Sequence, residues 1–281
     1  MKPYEIGIYE KSMPNTLTLK EKLIAGKAAG FDYLEISIDE TDEKLARLEM
    51  TQEERQQLVR DMHETGLNIR TMCLSGHRKY PLGSKDANVR ERSLEIMEKA
   101  IQLADDLGIR VIQLAGYDVY YDKGDEETRQ LFIENLKKST EMASVKGILL
   151  GFETMETDFM NSATKAMDYV NIVNSPYLNV YPDMGNISNA YDNNLDEVLQ
   201  DFENAKGKIV AVHIKETVPG KFRDIPFGTG QVYFVEILKK AMELGVRRYV
   251  LEFWYVEGRD YNEYIKEARD FIETKFEALE G

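Results

Sequence analysis

The sequence predicts one α/β domain over residues 1–281, a single closed (β/α)8 barrel of the TIM-barrel type, and three observations carry that prediction. First, one phrase recurs in which an amphipathic helix ends, a glycine follows and a β-rich run begins: "KAAGFDYLEISI", "HETGLNIRTMCL", "DDLGIRVIQLAG", "SVKGILLGFET", "NAKGKIVAVHI" and "MELGVRRYVLEF". Second, those runs are too continuously apolar for strands with a wet face, which marks parallel strands covered on both sides. Third, the glycines Gly30, Gly66, Gly108, Gly147, Gly207 and Gly245 lie 36, 42, 39, 60 and 38 residues apart, the length of one βα unit except for the 60. Glycine is favoured just past a helix because it takes a left-handed turn without a Cβ clash.

The elements follow in order. "YEIGIY" supplies a first strand at 5–9, and the joints place strands at 33–38, 69–75, 109–115 and 148–154. The long interval hides a further unit, "VNSPYLNVYPDMG", in which Asn174 and Pro176 end the helix instead of glycine and the strand runs 178–184. The last two strands are expected at 209–215 and 248–253. Between them lie helical patterns, among them "TQEERQQLVRDMHE", opened by a Thr51/Glu54 capping box, and the terminal "YNEYIKEARDFIETKFEAL". Eight such units fit a closed parallel barrel. The competing architecture, an open doubly wound sheet, would be supported by a GxGxxG turn after the first strand, and none is present.

Composition narrows the partners. Fifty acidic against 36 basic residues give a net charge of −14, which repels nucleic-acid backbones and anionic membranes at long range. The single cysteine, Cys73, has no intramolecular disulfide partner, and "MKPYEIGIYEK" has no apolar signal core, so a soluble cytoplasmic protein is expected.

In such barrels function sits at the C-terminal strand ends. The last four strands place Glu153 in "GFET", Asp183 in "YPDMG", His213 in "VHIKE" and Glu252 in "LEFW", spaced 30, 30 and 39 residues apart, one βα unit each. Taken singly, a strand-end acid is usually a helix N-cap or a surface ion pair, and a lone histidine on an apolar strand a satisfied core residue. Together they say more. Three carboxylates converging in one barrel mouth repel unless a cation sits among them, so the quartet reads as ligands of one divalent metal ion. One nitrogen and three carboxylates suit Mg, Mn, Co or Zn. Such a site can polarise a ketose C2 carbonyl and C3 hydroxyl and favour an enediolate. With Glu153 and Glu252 facing each other across C3, one removes the proton and the other returns it from the opposite face, inverting that carbon.

With these residues in place the chain resembles the xylose-isomerase-like barrels, and within them the L-ribulose-5-phosphate (L-xylulose-5-phosphate) 3-epimerases of bacterial L-ascorbate and related pentose pathways. The resemblance spans the chain: "GIYEK", "DETD", "MCLSGHRKYPLGS", "IRVIQLAGYDVYY", "YPDMGNIS", "VAVHIKET" and "PFGTGQVYF". It implies that Glu153, Asp183, His213 and Glu252 bind the metal, that the two glutamates are the acid/base pair, that the substrate is a small ketose 5-phosphate, and that a homodimer or larger assembly is a common state. One departure stands out: the related free-sugar 3-epimerases carry a further Glu six residues beyond the first metal Glu, where this chain has Phe159.

A phosphate needs cations. "SGHRKYPLGS" offers Ser75, His77, Arg78, Lys79 and Ser84, and "VPGKFRDIPFGTG" offers Lys221 and Arg223; the expected phosphate contacts are Ser75, His77, Arg78, Lys221 and Arg223, against a plain solvated basic loop. His63 is expected on a helix surface, Cys73 in the core, and Trp254 and Phe227 as walls of a sugar pocket. Three rival functions remain. Endonucleases of the superfamily gather several metals with many histidines, which three histidines and the acidic charge disfavour. An aldose–ketose isomerase uses a similar site. A non-catalytic sugar-phosphate-binding barrel would not need a carboxylate on each face of the carbon.

Overall fold

In a computed structural model that describes residues 2–280, the chain forms eight strands: β1 (Glu5–Tyr9), β2 (Tyr33–Ile38), β3 (Asn68–Leu74), β4 (Val111–Ala115), β5 (Leu149–Glu153), β6 (Leu178–Tyr181), β7 (Val212–Ile214) and β8 (Arg248–Leu251). The helices are α1 (Leu19–Ala28), α2 (Asp42–Leu45), α3 (Gln52–Thr65), α4 (Ala87–Leu107), α5 (Glu126–Lys146), α6 (Ala163–Val173), α7 (Met184–Ala190), α8 (Leu195–Asn204), α9 (Phe234–Glu243) and α10 (Tyr261–Glu280). Among the described residues these strands pair in parallel, in the order β6-β5-β4-β3-β2-β1-β8-β7.

The seam between β6 and β7 closes the barrel through single bridges, Val180 to Ile209 and Asp183 to His213. Backbone bonds from Val180 N to Lys208 O (2.8 Å), Val210 N to Val180 O (3.0 Å) and His213 N to Pro182 O (2.9 Å) complete it. These two strands are shorter than the sequence suggests for a local reason. Pro182 has no N–H to extend a ladder, and Asp183 already turns to cap α7.

The joints behave as their residues require. Gly66, Gly108 and Gly147 cap α3, α4 and α5 in the left-handed region at φ 68°, 75° and 67°. Asn174 does the same for α6 at φ 50°, a conformation asparagine tolerates better than most residues. The Thr51/Glu54 capping box forms. The helices lay their apolar stripes on the outside of the barrel, where Ile8, Ile36, Met72, Leu114, Phe152 and Val180 are buried with Ile237 and Phe276 in one continuous cluster. Alternate residues of the strands face inward. No helix among the described residues is long and apolar enough to cross a membrane.

Candidate active site

The four strand-end residues meet. Glu153, Asp183, His213 and Glu252 are all buried, and one ligand atom from each lies within 4.8 Å of the others. The parallel order puts them on four consecutive strands, with Asp183 and His213 between the two glutamates. Glu153 and Glu252 therefore enter from the ends of an arc covering half the barrel.

Each position has a local cause. Asp183 is the N-cap of α7: Oδ1 accepts from Asn186 N at 2.7 Å, and its own N–H donates to Thr154 Oγ1 at 2.9 Å. One oxygen thus does the capping work expected of any strand-end aspartate, which leaves Oδ2 for the barrel mouth. Gly185 lets this turn approach β7, since a Cβ there would lie 2.8 Å from Lys215 O. His213 presents Nδ1 to the acids, 3.3 Å from Glu153 Oε1, 3.6 Å from Glu252 Oε2 and 3.9 Å from Asp183 Oδ2. Its Nε2 points away, 2.7 Å from Glu35 Oε1.

Two side chains that sequence reasoning passed over belong here. Lys215 sits two residues beyond His213 and so on the same face of the strand; its Nζ is 3.1 Å from Asp183 Oδ2 and 3.0 Å from Glu252 Oε2. Glu35 is a lone acid in the fully buried run "YLEISI" of β2. A buried acid in an apolar strand is itself a signal, because such a group is costly unless partnered.

The electrostatics are uneven. Burial pushes Asp183 up to about 7 against the pull of Lys215. Burial and then the charge of Glu252 raise Glu153. Burial works against ionisation of Glu252 as well, yet Lys215 and His213 together hold it well below the usual carboxylate range. Despite the cost of burial, Glu35 and then Glu252 hold His213 well above the ordinary imidazole range.

The residues fit a divalent cation on an observation of their own. Asp183 Oδ2 and Glu252 Oε2 are buried without a hydrogen-bond donor, and the cation beside both is the ammonium of Lys215. Two orphaned carboxylate oxygens, a third carboxylate and an imidazole nitrogen converging on one point make a donor set that hard or borderline divalent ions accept.

A polar cleft opens above the quartet, lined by Glu153, Glu252, Lys215, Tyr9, Cys73 and Trp254 at its floor and by Lys11, Ser75, Arg78, Glu156, Phe222 and Arg223 toward its rim. The expected phosphate residues divide. Ser75 and Arg78 are the ends of a short 3₁₀ turn, Ser75–Arg78, whose side chains at i and i+3 eclipse, and both reach the cleft. His77, on the other side of that turn, is buried with Nε2 3.1 Å from Ser93 O, and burial lowers it to about 4. It lies outside the cleft and is held neutral, the opposite of what a phosphate contact needs. Arg223 lines the cleft with its guanidinium 4.9 Å from the Trp254 ring centre, whereas exposed Lys221 does not line it. Arg78 stacks 4.6 Å from the Tyr120 ring centre, and its Nε is buried without a partner. Lys11, absent from the sequence expectation, contacts Asp39 at 2.5 Å.

Of the aromatic residues, Trp254 walls the cleft, but Phe227 packs 5.7 Å from Phe253 and 6.0 Å from Phe271 and belongs to the helix layer. Phe159 likewise packs against Phe132 and Tyr169. Cys73 is buried as expected and also touches the cleft floor. His63 is exposed on α3.

Known proteins share this sequence pattern and this fold. Residues 23–275 match the model of the xylose isomerase-like TIM barrel family. The chain is 46% identical over 277 residues to the L-ribulose-5-phosphate 3-epimerase of Escherichia coli strain E24377A, covering 98% of this chain and 95% of that protein. The chain belongs to the L-ribulose-5-phosphate 3-epimerase family. The corresponding enzymes of Shigella sonnei and Escherichia fergusonii match at the same identity and coverage. An isomerase family of this kind fits a cleft floored by paired glutamates. Solved structures share the fold: D-psicose 3-epimerase from Clostridium cellulolyticum H10 superposes with a TM-score of 0.79 at 18% identity, covering 96% of this chain and 98% of that one. L-ribulose 3-epimerase superposes at 0.76 with 20% identity, covering 99% and 97%.

Proposed function

We propose that this epimerase-family chain, a single domain over residues 1–281, inverts C3 of a ketopentose 5-phosphate, interconverting L-xylulose 5-phosphate and L-ribulose 5-phosphate with the help of one divalent metal ion. The observation that carries the reading is the pair of buried carboxylates, Glu153 and Glu252, entering the cleft from opposite ends of a four-strand arc with Asp183 and His213 between them.

Glu153, Asp183, His213 and Glu252 would hold the ion, with Mn, Mg, Co or Zn all compatible with the donors. When bound it supplies positive charge beside the ketose oxygens and favours charge developing there. The residues do the proton transfer. One glutamate takes the C3 proton, the C–H electron pair becomes the C2–C3 double bond, and negative charge moves to the C2 oxygen. The other glutamate then returns a proton to the opposite face of C3, and charge flows back to restore the C2 carbonyl. Lys215 keeps one of the pair, Glu252, ionised and so able to act as a base.

Arg78 and Arg223 give the cleft rim a positive side suited to the 5-phosphate, Ser75 adds a hydroxyl, and Arg78 brings an unpartnered buried donor. Exposed Lys221 belongs to the same loop as Arg223. A cytoplasmic location follows from the phosphorylated substrate and the single unpaired, buried thiol. The test is an NMR time course with L-xylulose 5-phosphate in heavy water, with and without chelator. Deuterium at C3 of a new ketose, lost on chelation, supports the reading. Deuterium at C1 or an aldose product would make the protein an isomerase, and no reaction a binding barrel.

A further inference from the structure

We propose that Glu35 is the positioning residue for His213, fixing the imidazole so that Nδ1, and not Nε2, is the atom offered to the metal. The inference rests on the metal reading above and adds to it a residue three strands away in the barrel order.

Glu35 is fully buried in the middle of β2. It shares the inward face with Tyr33 and Ser37, which are satisfied elsewhere, Tyr33 by Tyr249 O at 3.0 Å and Ser37 by Tyr9 OH at 3.1 Å. Both oxygens of Glu35 are committed across the barrel: Oε1 lies 2.7 Å from His213 Nε2, and Oε2 accepts from Tyr181 OH at 2.8 Å. Among the described residues no lysine or arginine forms an ion pair with it; its only ionic partner is His213. An apolar residue of similar volume would pack in β2 without that cost, so the strand alone gives no reason for a carboxylate here.

The chemistry of imidazole ligands gives one. A ligating histidine commonly donates its second ring N–H to a carboxylate, which fixes the ring orientation and makes the ligating nitrogen more basic. Glu35 occupies that place. Its contact at Nε2 leaves Nδ1 directed at Glu153, Glu252 and Asp183. Gln113 cannot make the choice, since its Nε2 is 3.1 Å from both ring nitrogens.

Two measurements on the full chain test this. In the first, Mn²⁺ affinity is measured for the wild type and Glu35→Gln, with a thermal melt of each metal-free protein as the control for folding. Loss of such a partner typically weakens metal binding roughly 10–100-fold, and the proposal predicts a loss of that size, with turnover largely recovered at saturating Mn²⁺. An affinity within twofold of the wild type overturns it. In the second, long-range ¹H–¹⁵N spectra of the Zn²⁺-loaded wild type are recorded. The chain has three histidines, and His213→Ala assigns the signals. Metal on Nδ1 with a proton retained on Nε2 upholds the proposal, and metal on Nε2 overturns it. Should Glu35→Gln not fold, this spectrum decides alone. A wild type that binds neither ion overturns the metal reading itself, an outcome distinct from metal binding that ignores Glu35.

Discussion

Glu10 and Asp183 are both fully buried carboxylates placed just past the end of a barrel strand, yet their surroundings differ in kind. Glu10 accepts from Lys22 Nζ at 3.1 Å, Lys44 Nζ at 3.4 Å, Ser37 N at 2.6 Å and both terminal nitrogens of Arg47. Burial works against its charge, but Arg47, then Lys22 and Lys44, hold it at about 2. Asp183 shares its space with Glu153 and Glu252, has one capped and one orphaned oxygen, and is pushed up to about 7. The first cluster is satisfied by its own chain. The second is short of positive charge. A buried ionic group with every lone pair occupied is architecture, whereas one left unsatisfied beside a cleft is evidence of a missing partner.

The comparison breaks first if the wrong cluster governs activity. Glu153→Gln and Glu252→Gln should each reduce epimerisation by roughly 10²–10⁴ in both directions, while Glu10→Gln leaves turnover of the folded enzyme near wild type. The two site variants should also differ in C3 proton exchange with solvent deuterium. Each retains exchange for the epimer whose base it keeps, and exchanging the epimer should reverse the order. Equal exchange by both variants with both epimers would assign all proton transfer to a single group.

Stability should show the opposite pattern. Glu10→Gln leaves three cations facing a neutral amide, and breaking a buried ion pair costs about 3–5 kcal/mol. Denaturant titration should find a loss of that order for Glu10→Gln and a smaller one for Asp183→Asn in metal-free protein, where one of three crowded carboxylates is neutralised. The reverse order would remove the distinction between the clusters.

A smaller effect concerns the rim. Arg78→Ala removes a charge-assisted contact worth about 1.5–3 kcal/mol, so kcat/KM for the phosphorylated ketose relative to the free sugar should fall roughly 10–150-fold. Lys221→Ala and His77→Gln should leave the ratio close to wild type. A ratio that Arg78→Ala does not change would return that residue to the solvated surface.

The pH dependence of stability offers the finest test. Glu10 has a folded pKa below its ordinary 4.5, so the unfolded chain binds more protons between about 4.5 and 2. Its stabilisation is fully present above that window and lost as pH falls through it. His77, lowered from 6.5 to about 4 by burial, also costs stability as pH falls, but in an earlier window between those values. His77→Gln should therefore flatten the loss between pH 6.5 and 4 and leave the lower window unchanged.

Much of this was legible from sequence because it depends on short-range physics. The αL caps at Gly66, Gly108 and Gly147, the asparagine substitute at 174 and the Thr51/Glu54 box are set by residues within a few positions of each other. The quartet was legible too, since parallel strands of one barrel bring their ends to one mouth and four such ends carried ligand side chains.

Other features were decided only when the chain closed. Ser75 and Arg78 reach the cleft while His77 turns inward because a 3₁₀ turn fixes which side chains share a side, and composition does not reveal the turn. Phe227 joined an aromatic layer instead of the cleft through Phe253, just past β8, and Phe271 on α10, neighbours that only tertiary packing supplies. Glu35 meets His213 and Tyr181 across 178 and 146 residues of chain. Eight strands in order, the helix caps and the acid and imidazole side chains near the strand ends could be read along the chain, because periodicity and capping act locally, whereas the lengths of β6 and β7 could not. Only the closed barrel determined which nitrogen of His213 faces the acids and which cations stand beside them, because those contacts join strands that no local pattern relates.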